Sequence, residues 1–347
     1  MTSPSQAAIA GAETPGPDGA GLNSEPVDGD KAATDQLGRS PGQLMWMRFK
    51  RDRTGVISAF VVLIMFAIAA LAPVISWLYG KDPWTRYGQI RPGLLNDNAY
   101  PVKPNGGMDS EFWFGLEPGL GRDVLTQLVY GMRTSLSLAV VITILSVVLA
   151  IVIGVAGGYL GGKPDYFLGR LTDLMMSFPN QLFFVAFTPV IGALLVSPQD
   201  EMPTWLRACV LIFVMWLLGW MTLARLLRGQ VLTLREREFI EAAKVAGTPP
   251  WRIIRKELLP NLVTPILVQS TYMLPNFVTG VAGLSFLGVG MQGSTPDWGR
   301  MFATGAEVYQ SDITYMIFPG VAMVIFIVAF NLLGDSVRDA FDPKSGR

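Results

Sequence analysis

What this chain can fold into is limited first by its charge-free windows. Residues 56–80, 134–162, 174–199, 208–224 and 313–334 contain no Asp, Glu, Lys or Arg. A further window lies between Glu257 and Asp297. The hydrocarbon layer of a bilayer is about 30 Å thick, and about 20 helical residues cross it. Inside that layer the backbone must satisfy its own hydrogen bonds, which leaves helices and closed barrels. Core helices of a water-soluble domain seldom stay uncharged for so long or recur so often. Composition agrees: 16% of the residues are charged, against about 25% in ordinary soluble domains, and mean hydropathy is +0.39. The chain therefore reads as all-α, a polytopic membrane protein.

The window after Glu257 is too long for one simple span. It is interrupted by Gly280, Gly283, Gly288, Gly290 and Gly293 and closed by Pro296. It reads as one span over 265–287, then a Gly-rich loop or a short re-entrant piece. The 208–224 window is short and reaches Trp205 if Arg207 snorkels. The total is six transmembrane helices.

Orientation follows from Lys and Arg near the span ends. Arg48, Lys50, Arg51 and Arg53 precede the first span. Arg228, Arg235, Arg237, Lys244, Arg252, Arg255 and Lys256 lie between the fourth and fifth. Six spans place both termini and that loop on one side, which the basic clusters assign to the cytosol. The expected organisation is a disordered cytosolic tail over 1–42, without a periodic apolar face, and an interfacial segment over 43–55. There Trp46 and Phe49 meet lipid headgroups and the cations meet anionic lipid. The first span and a long external loop follow over 56–133. A core domain of five spans covers 134–340, with a cytosolic loop at 228–264, and a cytosolic C-terminal tail covers 341–347.

Several function classes are excluded. Cys209 is the single cysteine and there is no histidine, so His-ligated zinc, His-based triads and His proton relays are ruled out. No metal site and no catalytic constellation is expected. Formal net charge is zero, so no pull toward nucleic acid is implied. Ion-coupled carriers place ionisable groups inside the membrane; here Arg207, Arg225 and Asp173 sit at span edges. Driving force would then enter through the basic loop. Two glycine-rich strings are decoys. Gly157 to Lys163 nearly spells a phosphate-binding loop, but Pro164 stands where a Ser or Thr is needed. Gly288, Gly290 and Gly293 match a dinucleotide fingerprint, but no strand precedes them.

The basic loop reads as helix, break, helix. The first helix covers about 235–246, with Arg237–Glu241 and Glu241–Lys244 as side-chain pairs. Gly247 supplies a left-handed cap. Thr248 is the expected N-cap of the next helix and Pro249 its first residue. That helix is expected to present Trp251, Ile254 and Leu258 on one face. Ala242, Ala243 and Ala246 are small enough to slide into a partner's groove; a solvated hairpin with incidental alanines fits equally well.

The string Glu241-Ala242-Ala243-Lys244-Val245-Ala246-Gly247, followed by Leu258-Leu259-Pro260-Asn261, resembles the EAA loop of importer-type ABC permeases. Leu71-Ala72-Pro73 and Gly121-Arg122-Asp123 resemble the dipeptide/oligopeptide permease group. So do Leu284 to Gly290, Pro296-Asp297-Trp298-Gly299, and the ending from Phe330 to Pro343. The likeness covers about 44–344 and is nearest the DppC/OppC-type subunit. Two departures stand out: Glu257 before Leu258, and Phe114-Gly115-Leu116-Glu117 with a longer approach to Gly121. The resemblance implies a non-catalytic subunit without its own cofactor. Its partners would be a second permease of DppB/OppB type, two ATP-binding subunits and an extracytoplasmic substrate-binding protein. Glu241, Ala242, Ala243, Ala246, Gly247, Leu259 and Pro260 would form the ATPase-coupling loop. Gly121, Arg122 and Asp123 form the external motif, and Gly288, Gly290, Pro296, Trp298 and Gly299 the outer-mouth motif. The cargo would be di- or oligopeptides, with nickel chelate, glutathione or oligosaccharide as alternatives, and a stand-alone carrier or channel as the competing class.

Overall fold

The computed structural model describes residues 41–341, except position 198. The expectations for 1–40 and 342–347 lie outside the described residues. Two units are distinguished, Met1–Met45 and Trp46–Arg347; the helices described below belong to the second, apart from the first residues of α1. Among the described residues the only β pairing is two isolated bridges, Leu95 with Pro101 and Leu116 with Asp123.

The amphipathic segment forms α1 (Pro41–Arg51), in which Trp46 stacks on Phe49 at 6.0 Å and Lys50 lies 5.1 Å from the Trp46 ring. Asp52 ends that segment and starts the next. Its carboxylate accepts from the amides of Thr54 and Gly55 at 3.0 and 3.1 Å, so α2 (Arg53–Ala70) begins three residues before the charge-free window. It continues through α3 (Ala72–Tyr79), which ends on Gly80 at φ +73°.

The central helix is α4 (Val124–Leu160), 37 residues long. The window at 134 places its start ten residues too late. Asp123 caps the helix by accepting from the Thr126 amide at 2.8 Å, and Arg133, which delimits the window, is simply exposed. Small residues let neighbours approach α4 closely, as is usual between membrane helices. A Cβ on Gly154 would lie 2.6 Å from the Ala224 carbonyl, and one on Gly158 would lie 2.8 Å from Val231. The phosphate-loop lookalike is thus a packing surface.

The third expected span is a bent pair, α5 (Gly162–Met176) and α6 (Asn180–Leu195), turned by 87°. Pro179 disfavours helical geometry at Phe178 and explains the break. The fourth is longer than its window. It comprises α7 (Thr204–Gly219) and α8 (Met221–Arg235), a run of 32 residues. Arg225 and Arg228 do not end it because each finds a carboxylate on α5: Asp173 for Arg225, and Asp165 for Arg228, with Nη2 to Oδ2 at 2.8 Å. Next come α9 (Glu238–Val245), α10 (Pro250–Ile253), a π-helical turn (Ile254–Leu258), α11 (Leu259–Phe286), α12 (Trp298–Val308) and α13 (Thr314–Phe341).

Four of these segments are long and apolar enough to cross a membrane: Arg53–Ala70, Val124–Leu160, Thr204–Arg235 and Thr314–Phe341; the bent pair, counted as one broken span, brings the number to five. The 28-residue α11 is free of charge and about 42 Å long at 1.5 Å per residue, but it is too polar to join that group. Counting it gives six, in keeping with the expectation.

Candidate functional site

Three of the residue groups singled out in the sequence have defined geometry. The first is the hairpin between α8 and α11. α9 starts at Glu238, not at 235, because Arg235 still belongs to α8. Arg235 points its guanidinium at the carbonyls of Gly158 and Tyr159, 3.4 and 3.5 Å away, at the end of α4. A cation is favourable at a helix C-terminus. Gly247 takes the left-handed conformation at φ +73°. Its amide donates to Lys244 O and the Thr248 amide to Ala243 O, both at 3.0 Å, which is the Schellman arrangement. Thr248 is consequently used up in ending α9, and Pro249 occupies the N-cap of α10 without a side-chain bond. Neither Arg237–Glu241 nor Glu241–Lys244 forms an ion pair among the described residues; Lys244 instead reaches Arg235 O at 3.5 Å.

The apolar face of the second helix also differs from expectation. Ile240, Ile253 and Leu258 are sunk in the core, at 1% exposure or less, while Trp251 is 59% exposed and Ile254 only partly buried. The π turn inserts one residue per turn relative to α-helix, so the regular spacing assumed for Trp251, Ile254 and Leu258 does not hold. The result is a hairpin anchored by three aliphatic side chains and presenting an open surface. Glu241, Ala242, Ala246 and Gly247 are exposed, and Val245 is 90% exposed. Ala243 and Leu259 are half-buried and Pro260 is exposed.

The second group lies in the 81–123 loop. Gly121 adopts φ +64° and its Cα abuts Gly88, whose amide a Cβ would approach to 2.6 Å. Arg122 and Glu117 form a buried bidentate pair, with contacts of 2.5 and 2.7 Å and side-chain exposures of 4% and 3%. Gln127 on α4 donates to the same carboxylate at 3.0 Å, and the Tyr315 hydroxyl on α13 lies 3.4 Å from it. Burial presses the Arg122 guanidinium toward neutrality, but the hydrogen bonds and charge of Glu117 outweigh this and raise its pKa. Asp123, besides capping α4, meets the Tyr79 hydroxyl at 3.1 Å, and burial pushes its carboxyl up. Glu117 was a departure from the family pattern in the sequence; in the structure it is the counterion of the motif arginine. The Glu117–Gly121 pairing, Glu117 amide to Arg122 O and Gly121 amide to Glu117 O at 2.8 Å each, depends on the loop closing and left no periodic trace.

The third group follows α11. Gly288 (φ +77°) ends that helix. Gly290 sits against Ser285, and a Cβ on Gly299 would lie 2.1 Å from the Ala282 carbonyl. Pro296 is buried. Trp298 is fully buried, and its Nε1 donates to Leu128 O on α4 at 3.2 Å. The Ser135 hydroxyl of α4 donates to Asp297 Oδ1 at 2.8 Å, whereas Asp297 Oδ2 has no partner among the described residues. Burial pushes this carboxyl up as well. The glycines here allow α12 to press on α11; the dinucleotide lookalike has no phosphate-binding geometry. Among the described residues no group of three or more His, Cys, Asp or Glu could hold a metal ion.

Residues 147–347 match the family described as binding-protein-dependent transport system inner membrane component. Residues 40–98 match the N-terminal transmembrane domain of oligopeptide transport permease C. The chain is 30% identical over 305 residues to the dipeptide transport system permease protein DppC of Alkalihalophilus pseudofirmus, covering 88% of this chain and 90% of that protein. It is 31% identical over 324 residues to the oligopeptide transport system permease protein OppC of Escherichia coli K12, covering 93% and 97%. To the glutathione transport system permease protein GsiD of E. coli O6:K15:H31 it is 29% identical over 327 residues, covering 94% and 96%. A crystal structure of the inward-facing MetNI methionine ABC transporter shares the fold, with TM-score 0.50, 19% identity, and 62% of this chain and 96% of that one covered.

Proposed function

The chain belongs to the binding-protein-dependent inner-membrane transport components, as an integral plasma-membrane ABC importer permease of the peptide (Dpp/Opp) type, and from that membership we propose that it forms half of an ATP-driven pathway for short peptides. A second, homologous permease supplies the other half. Two ATP-binding subunits dock from the cytosol, where both termini lie, and an extracytoplasmic binding protein delivers the cargo. ATP is bound by those partners and not by this chain.

The observation that carries the coupling role is the hairpin's two-sidedness. Its inner side is fixed by Ile240, Ile253 and Leu258, while Ala242, Val245, Ala246 and Trp251 are exposed. An exposed apolar patch on an anchored support marks a docking surface. Glu241 to Gly247 and Leu259-Pro260 are its candidate contacts. Force applied there enters the spans through α11, and alternating access follows as rigid elements rock. The Glu117–Arg122–Asp123 and Asp297–Trp298 networks hold the opposite ends of α4, α12 and α13 together on the external side.

Cargo is assigned from the relatives, whose names cover dipeptides, oligopeptides and glutathione; all three are short peptides. The test is reconstitution of this chain with its second permease, ATPase subunits and binding protein. Peptide uptake that requires all of them, with hydrolysis stimulated by loaded binding protein, is expected. Uphill accumulation by this chain alone, with no ATPase present, would remove the assignment.

A further inference from the structure

Several polar side chains on the long helices have no hydrogen-bond partner among the described residues, the Ser146 hydroxyl on α4 and two carboxamides on α11 among them. Three hydroxyls of α11 bond back to the helix: Ser270 to Ile266 O, Thr271 to Val268 O and Thr279 to Pro275 O. The carboxamides of Gln269 and Asn276 have no hydrogen-bond partner among the described residues, and Asn276 is exposed. At 100° per residue, Gln269, Tyr272, Asn276, Thr279 and Gly283 fall within an arc of about 80°. Thr279 is exposed too, and a Cβ on Gly283 would meet nothing within 4 Å. The residues flanking this arc, Met273, Phe277, Gly280 and Leu284, are buried.

Depth makes the arc informative. Phe277, next to Asn276, packs where a Cβ on Gly219 would lie 2.6 Å from its ring and 2.7 Å from the Ser146 hydroxyl. Gly219 is at the middle of the Thr204–Arg235 run and Ser146 near the middle of the long apolar stretch of α4. Asn276 is therefore at mid-depth, where facing acyl chains with an unpaired amide is costly. Three residues past Gly283 the helix ends, and Gly288, Val289 and Gln292 line a cavity of about 570 Å³ shared with Arg207 of α7 and Asp200. Tyr272 on this arc donates to Asp335 of α13 at 2.5 Å, but beyond it Asn276, Thr279 and Gly283 form an uncharged strip that leads to a roomy polar vestibule, which fits a passage.

Resting on the importer assignment above, we infer that the Gln269–Asn276–Thr279–Gly283 face of α11 lines the route of the permeant and hydrogen-bonds its peptide groups. A carboxamide offers both a donor and an acceptor, matching a peptide unit without regard to side-chain charge. The two carboxamides are seven residues apart, about 10.5 Å along a helix, which is about three residues of an extended peptide.

The test uses the reconstituted four-component complex with Cys209→Ser. Asn276→Cys, Thr279→Cys and, on the opposite side of α11, Leu267→Cys are each treated with a membrane-impermeant thiosulfonate, nucleotide-free and vanadate-trapped. Expected is reaction at 276 and 279 at least tenfold faster than at 267 in one state, with a tenfold change between states. Equal, slow reaction at all three positions in both states overturns the lining and places this face against another helix, the second permease included. Trialanine uptake tests the hydrogen bonds: Asn276→Leu should raise the KM about tenfold without altering binding-protein-stimulated ATP hydrolysis, and Asn276→Gln should restore it. An unchanged KM in Asn276→Leu overturns them. If the unmutated complex hydrolyses ATP but does not carry trialanine, the peptide class falls while the labelling still decides the lining. Failure to assemble with ATPases would strike the importer assignment itself.

Discussion

Replacing Arg122 with Met tests the buried pair at the loop's base. Glu117 is 2% exposed and receives two hydrogen bonds from Arg122, one from Gln127 and a long one from Tyr315. Arg122→Met leaves a buried carboxylate with the last two alone. Removing one member of a buried pair typically costs about 3–5 kcal/mol, because the remaining charge is uncompensated. Each 1.4 kcal/mol is about tenfold in an equilibrium, so local opening should become roughly a hundred- to several-thousand-fold more frequent. The amides of Leu116, Glu117 and Gly121 report on it, since they are held by Gly106, Arg122 and Glu117 carbonyls at 2.8–2.9 Å. Hydrogen exchange followed by mass spectrometry on the purified full chain would read their protection. The double variant Glu117→Leu with Arg122→Met should recover most of it, since apolar replacement of a whole buried pair is often nearly neutral. Exchange in Arg122→Met within tenfold of the parent, or a double variant as labile as the single one, would refute the reasoning.

Three other outcomes are expected. Gly247→Val should add about 1–2 kcal/mol of left-handed strain to the hairpin, with no steric clash because nothing lies within 4 Å; uptake per ATP hydrolysed should fall while membrane abundance stays level, measured by paired transport and phosphate-release assays. Gly299→Ala would put a Cβ 2.1 Å from the Ala282 carbonyl and force α12 off α11, so its detergent melting temperature should drop well below that of Gly283→Ala, which meets open space. Asp297 has a carboxyl pKa raised by burial, so the folded state holds its proton to higher pH than the unfolded state, whose value is about 3.9. Its cost is absent below that value and grows as pH rises toward the native one. Melting of the parent relative to Asp297→Asn should therefore worsen with rising pH across that window and be flat outside it.

Charge-free windows were sufficient to find every long helix because burying a charge in lipid is prohibitive, but they mark helix ends poorly. Arg133 is exposed within α4, and Arg225 and Arg228 are carried within α8 by Asp173 and Asp165 on another helix. Such pairings join positions more than 50 apart and have no local signature. Gly247 was legible because a left-handed cap needs a residue without Cβ. The inward turn of Ile253 was not, because a π turn breaks the periodicity by which faces are assigned. Glu117 escaped notice as a site residue because its partner is fixed by how the 81–123 loop closes. Asn276 could have been found from sequence alone, as a carboxamide near the middle of a span.

The π turn at Ile254–Leu258 has one more geometric consequence. It joins α10 to α11 without a loop. Losing the extra residue of that turn would swivel everything beyond Leu259 by about 100° about the axis. Asn276 lies on the part of the helix that such a change would turn.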